Sequence, residues 1–205
     1  MAVDDREPAF NGWLGSLNAL TNSAEAARDW RKRRYAVAHR LGEELAGQTL
    51  THPAVAGPAV YGIWLPWGLL YVGQTREASR RLRDLPVGES HHLANTFPSE
   101  IWDRVVVIDW PALPEAQTVM TQLDPTAIGL ALEHRLRVGL QPLANSSRRT
   151  KGGGWRTVDR ATSRSRGAQA EGAVCALAEI VDQVWDVAAA HENGCAPLPV
   201  STRSV

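Results

Sequence analysis

Residues 59–75 read AVYGIWLPWGLLYVGQT: two short runs rich in β-branched and aromatic residues, joined by Pro66-Trp67-Gly68. Such runs on either side of a Pro-x-Gly break form a β-hairpin. Pro66 suits the second position of a type I turn and Gly68 the left-handed position after it, giving a three-residue loop with a bulge in which Leu65 faces Leu69. That register sets Tyr61 opposite Gly73 and Ile63 opposite Tyr71. Strand side chains alternate, so residues 61, 63, 65, 69, 71 and 73 share one face. As diagonal neighbours the two tyrosines lie within about 7–8 Å, close enough to border one small ligand.

Outward from the hairpin, REASRRLRDL (76–85) reads as a helix presenting Arg76, Arg80, Arg81 and Arg83, with Thr75 as its N-cap. A loop with His91 and His92 follows, then a short turn or helix over 100–104. The run RVVVIDW (104–110), bounded by Pro111, reads as a buried strand. Asp124-Pro125 opens a further helix. Its stripe is Ile128, Leu132, Leu136 and Leu140, and Glu133 lies at the edge of that buried face, four residues before Arg137. Taken alone, Glu133 reads as half of an exposed ion pair. On the N-terminal side, residues 24–45 predict a helix capped by Asn22 or Ser23, with Ala27, Trp30, Tyr35, Val37, Leu41 and Leu45 as its apolar stripe. The cluster 31–34 reads as its solvated face.

Residues 146–166, SSRRTKGGGWRTVDRATSRSR, carry seven Arg or Lys against the single acid Asp159, so Arg148, Arg149, Lys151 and Arg156 are candidates for phosphate contact, with Arg80. Glycines 152–154 predict a flexible middle, and Trp155 reads as packed on the core. A last helix over 168–191, with Val174, Leu177, Val181, Val184 and Ala188 as its stripe, is expected to close the core, and the tail from Asn193 to fray. The domain reading is a helical extension (1–57), a core (58–147), a basic loop (148–167) and a C-terminal helix and tail (168–205). The fold class is α/β of the α+β kind: a small mixed, mainly antiparallel three-stranded sheet flanked by helices, with added N- and C-terminal helices.

Composition narrows the classes. The 22 basic and 22 acidic residues cancel, which argues against a polybasic coat but not against a local basic patch. Two cysteines cannot build a disulfide framework or a four-thiolate zinc site. The start, MAVDDREP, lacks the basic and apolar regions of a secretory signal, and Pro53, Pro58 and Pro66 interrupt the uncharged stretch 45–75. A cytoplasmic protein with no membrane span is expected.

The ordered set Tyr61, Tyr71-x-Gly73, Arg81, Glu133 and Pro142-x-x-Asn145 resembles the GIY-YIG nuclease superfamily. The strands Ala59-Val60-Tyr61 and Tyr71-Val72-Gly73 match its two signature strands, and the resemblance covers about residues 58–147. Ala59 replaces the first glycine. Leu85 stands where the family often has His or Tyr one turn after the arginine, and His91 or His92 are the candidates to fill that part. The resemblance implies a metal-dependent DNA endonuclease, restriction-type or single-strand or non-specific, working as a monomer or homodimer. Glu133 would hold Mg²⁺, with Mn²⁺ as an alternative; Arg81 would clamp the scissile phosphate. Tyr61 would take the proton of the attacking water and Tyr71 hydrogen-bond beside it, while Asn145 would fix the Glu133 helix end or contact substrate. Other readings are a non-catalytic DNA-binding module on the same fold and a protein-interaction scaffold using the last helix.

Overall fold

In a computed structural model of the chain, residues 6–48, 53–88, 93–145, 150–157, 163–190 and 200–204 are described. The hairpin forms as β1 (Ala59–Leu65) and β2 (Gly68–Thr75), with Tyr61 opposite Gly73 and Ile63 opposite Tyr71. The tip differs from the expected loop. Trp64 pairs with Leu69 and Leu65 with Gly68, so the loop is the two residues Pro66 and Trp67, and the register shift falls at Leu70. Gly68 absorbs the tight reversal at φ 148°, a backbone open to glycine. The bulged stretch is paired from outside: Leu143 N–H donates to the Leu69 carbonyl (3.1 Å) and Ala144 N–H to that of Leu70 (2.7 Å). That external partner explains why the extra residue sits there rather than at the tip.

Strand β3 (Arg104–Ile108) pairs antiparallel with β1, making β1 central and all seven of its residues buried. The tail does not fray throughout. Val200–Ser204 forms β4 against the outer edge of β3, giving the order β2-β1-β3-β4. An uncovered β3 edge leaves a row of unpaired backbone groups, which this segment satisfies.

Helices cover both faces. On one, Val60, Val72, Val106 and Ile108 pack against α5 (Pro114–Met120), α6 (Pro125–Leu140) and α8 (Cys175–Ala190), with Trp110, Leu132 and Trp185 filling the layer. On the other, Tyr61, Ile63, Val105 and Val107 meet α2 (Ala24–Ala46), α3 (Ala78–Val87) and α4 (Leu93–Thr96) through Leu45, Leu82, Leu85 and Leu93. Gly62 sets the first contact, since a β-carbon there would come within 2.5 Å of the Trp185 ring and 2.7 Å of the Trp64 ring. The last helical stretch is built as α7 (Arg166–Ala170), a 3₁₀ turn and α8. Its wall is Val174, Leu177, Val181, Trp185 and Ala188, so Trp185 occupies the place expected of Val184. With this stripe buried, the feature behind the scaffold reading is used inside the fold.

Two N-terminal expectations change. A helix α1 (Arg6–Asn22), which the sequence reading leaves unassigned, precedes α2. Ser23 caps α2, its hydroxyl accepting from Ala26 N–H (3.1 Å), but Tyr35 and Val37 are 40% and 44% exposed. Burial is confined to Ala38, Gly42, Leu45 and Ala46, because Gly42 is where α2 meets α3: a β-carbon there would overlap the Arg83 carbonyl. Among the described residues, no helix is long and apolar enough to cross a membrane.

Candidate active site

The two phenols come first because the register fixes them. Tyr61 and Tyr71 have ring centroids 6.2 Å apart, tilted by 38°. Between them Gly73 supplies the missing volume: a β-carbon there would lie 2.7 Å from Tyr61 Cζ and Oη and 2.7 Å from Tyr71 Cε1. Gly73 is thus required by the pair of rings. Gly73→Ala is expected to displace one ring or cost about 1–3 kcal/mol through overpacking, read as a lowered urea midpoint with an unchanged slope.

Arg81 enters from α3. This helix begins later than expected: the Thr75 hydroxyl accepts from Glu77 N–H (3.0 Å), tying off the strand, and Glu77 is the N-cap. The start still leaves Arg81 on the face toward the sheet, half-buried, one residue before the fully buried Leu82. Arg80 and Arg83 turn outward. Arg80, 57% exposed, pairs with Glu77 (2.8 Å) and Asp84 (3.4 Å), whose carboxylates offset its charge toward a nucleic acid, and Arg83 pairs with Glu43 (3.0 Å). Leu85 is fully buried in the core against the sheet.

Glu133 comes from α6, which Asp124 caps by accepting from Thr126 N–H (2.9 Å) and Ala127 N–H (3.1 Å). The helix lies along the outer strand, with Gly129 against the Gln74 side chain. Ile128, Leu132 and Leu136 are buried as expected, whereas Leu140 is exposed. Glu133 does pair with Arg137 at 3.2 Å, but the pair is not exposed: its side chains are 14% and 16% accessible. The sequence offers Arg137 as the partner of an exposed pair, and its four-residue spacing from Glu133 carries the pairing but not its burial.

Electrostatics tie these elements together. Burial raises the Tyr61 phenol far above its ordinary value, Tyr71 and Glu133 push it the same way, and Arg81 opposes them. Tyr71 is pushed up to about 12 by burial and then by Glu133, against the pull of Arg137 and Arg81. Arg81 from one face of the sheet and Glu133 from the helix along its edge therefore act on the same two hydroxyls. Both phenols are neutral at pH 7. The stability they confer is complete below the unfolded value of about 10 and falls as pH rises toward the folded values. For Tyr71 the gap of about two pH units is worth roughly 3 kcal/mol when fully lost. Urea melts between about pH 9 and 11 should show stability declining, and Tyr71→Phe should flatten that decline.

Asn145 is buried, and its amide serves the backbone of β2: Oδ1 accepts from Val72 N–H (3.0 Å) and Nδ2 donates to the Val72 carbonyl (3.1 Å). It ties the segment after α6 to the strand carrying Tyr71, one residue from that tyrosine. Asn145→Ala, which leaves a buried N–H and C=O without these bonds, should cost about 2–3 kcal/mol in thermal or urea unfolding.

In the basic loop, Lys151 and Arg156 are exposed. The glycines do not leave the loop open. Thr150 N–H donates to the Gly154 carbonyl (2.7 Å) and Gly153, at φ 81°, donates back to the Thr150 carbonyl (3.0 Å), closing a turn. Trp155 is half-buried. Arg148, Arg149, His91 and His92 lie outside the described residues. Among the described residues, no three His, Cys, Asp or Glu side chains converge to hold a metal ion. The oxygen donors at the site are one carboxylate and two phenols. That set fits Mg²⁺, which binds through one or two carboxylates and fills its shell with water and phosphate oxygens. No family model, no curated protein and no solved structure matches the chain.

Proposed function

We propose that the chain is a divalent-metal-dependent endonuclease that hydrolyses DNA phosphodiester bonds, as its likeness to the GIY-YIG nucleases implies. The observation that carries this reading is geometric: two phenols with ring centroids 6.2 Å apart across Gly73, with Arg81 half-buried on α3 and Glu133 only 14% exposed on α6. Phosphodiester hydrolysis consumes one water and leaves a phosphate monoester and a hydroxyl. Its transition state concentrates negative charge on the phosphoryl oxygens and the leaving oxygen. Arg81 answers with a planar fork of two parallel N–H donors. Glu133 would hold Mg²⁺, or Mn²⁺ in its place, which neutralises part of that charge when bound.

The phenols set the proton chemistry. Because Tyr61 is neutral and desolvated, its oxygen takes the water's proton in concert with giving up its own to a phosphate oxygen, either directly or through Tyr71, which accepts that proton as it passes its own to the phosphate oxygen. Tyr71, less buried, orients the water. Lys151 and Arg156 stand exposed on the loop beyond the core, where contacts to flanking phosphates position the strand without reading bases.

A second reading, a DNA-binding module without turnover, is favoured by Leu85, which puts a core side chain where the family often has His or Tyr. The test is incubation with single- and double-stranded DNA in Mg²⁺ with the ends mapped. Discrete cut ends are the expected result. Bound but uncut DNA transfers the reading to the module, and DNA neither bound nor cut overturns both.

A further inference from the structure

A cavity of about 500 Å³ between α1, α2 and the segment after α4 has no part in the chemistry above. Its size falls within the range of about 300–1,000 Å³ usual for small-ligand sites. Trp13 lines it from α1, Trp30 and Tyr35 from α2, and Glu100 from the 3₁₀ turn Ser99–Ile101. Helices α2 and α4 also cover the sheet face that carries Tyr61, so the cavity stands on that side of the sheet.

The basic run 31–34 supplies its charge. Arg34 is not part of a solvated face: its side chain is 10% exposed, donates to the Ala94 carbonyl (2.7 Å), faces Glu100 Oε1 at 3.7 Å and lies 5.6 Å from the centre of the Trp30 ring. A guanidinium over an indole holds that ring by cation–π attraction. The ring is thus set in place before a ligand arrives, which lowers the entropy cost of stacking on it. Arg31 is exposed on the same wall.

These features select a ligand. Three aromatic side chains suit a planar ring of any base, because every base has a π-face. Two arginines against one carboxylate make a net positive lining, which opposes a cationic guest and favours an anionic one. One exposed arginine matches the single charge of a phosphodiester, whereas a free triphosphate calls for a glycine-rich backbone cradle that these helical walls do not form.

We propose that the cavity takes an unpaired nucleotide of a DNA strand, its base stacked among Trp13, Trp30 and Tyr35 and its phosphate on Arg31. That the strand is DNA rests on the endonuclease reading; the stacking pocket stands on its own geometry. The protein then prefers an extrahelical nucleotide to continuous duplex, since a paired base costs unstacking energy to extrude.

The test uses the full chain in EDTA, so that no strand is cut. Fluorescence anisotropy compares three labelled duplexes: fully paired, with one unpaired nucleotide, and with an abasic residue at that place, which keeps the phosphate without the base. The unpaired nucleotide should bind about tenfold tighter than either other probe. Trp30→Leu should erase that preference. Arg31→Ala should keep it while weakening the unpaired and abasic probes alike and reducing the salt slope by about one. Irradiated 5-iodouracil at the unpaired position should form adducts on Trp13, Trp30 or Tyr35 of the wild type.

Unpaired and abasic probes bound alike, adducts only on other residues, or a preference retained by folded Trp30→Leu would overturn the inference. Where Trp30→Leu does not fold, the adducts decide. A free deoxynucleoside monophosphate that competes mole for mole with the strand overturns the strand as occupant. A dimer abolished by Leu17→Lys, at a rim residue 39% exposed, with no base preference, gives this face to a second copy and overturns it as well. The two readings fail separately: cutting in Mg²⁺ with the probes bound alike removes the pocket alone, and base preference without cutting removes the endonuclease alone.

Discussion

Glu133→Gln should lower the rate of DNA cleavage by about a thousandfold while duplex binding in EDTA is kept or tightened, the largest effect expected of any single substitution here. The amide matches the carboxylate in shape, so packing along α6 against Leu132 and Leu136 is preserved, and the loss of charge opposite Arg137 should lower the unfolding midpoint without abolishing the fold. What changes is charge. The substitution also removes the charge facing Arg137, in a pair whose side chains are 14% and 16% exposed, so unfolding is measured beside cleavage. Loss of cleavage with loss of fold would point to a structural ion pair instead, and cleavage retained at the wild-type rate would remove Glu133 from the chemistry.

Arg81→Lys should cost about 10²–10³ in cleavage rate, nearly as much as Arg81→Ala. A lysine preserves the positive charge but offers a compact ammonium where the scissile phosphate needs two parallel donors in a plane. The control is its neighbour. Arg80 already binds Glu77 and Asp84 at the surface, so Arg80→Lys should leave the rate within a fewfold of wild type and Arg80→Ala should weaken duplex binding only slightly. Equal losses at positions 80 and 81 would mean that the helix contributes diffuse charge rather than one aimed guanidinium.

The parts of the fold that could be read directly are those fixed by short-range rules. The phenol pair follows from period-two alternation and from a Pro-x-Gly break, and Tyr61 opposite Gly73 is the register observed. The start of α6 follows from Asp124-Pro125, whose capping bonds are local to three residues. What could not be read depends on tertiary partners. The bulge moved from the loop tip to Leu70 because residues 143 and 144, far along the chain, pair there. Val37 and Tyr35 fit a helical stripe but stay 44% and 40% exposed, because the middle of α2 is held through Arg34, which donates to the Ala94 carbonyl (2.7 Å) and pairs with Glu100 (3.7 Å), while the buried apolar contacts come from its last turns.

Strand β4 forms because β3 has an open edge, which no pattern within residues 200–204 announces. At the site, Tyr61, Tyr71, Arg81 and Glu133 were each identifiable as members of an ordered set. The burial of Arg137 beside Glu133 was not, because an i,i+4 ion pair looks the same in sequence whether it lies in solvent or in a cleft. Asn145 was identified as a motif residue, yet its amide is committed to the β2 backbone, a use that depends on where the chain after α6 returns to the sheet.

The most direct test is to locate the cation. Crystals of the protein grown with Mn²⁺ and a duplex carrying a non-cleavable phosphate analogue would give an anomalous difference map. The account predicts one strong peak at roughly 2.0–2.2 Å from the Glu133 carboxylate, a distance usual for small hard divalent cations, beside the Tyr61 and Tyr71 hydroxyls and a phosphate oxygen. A map with bound DNA and no peak at Glu133, or with the metal held elsewhere, would contradict it.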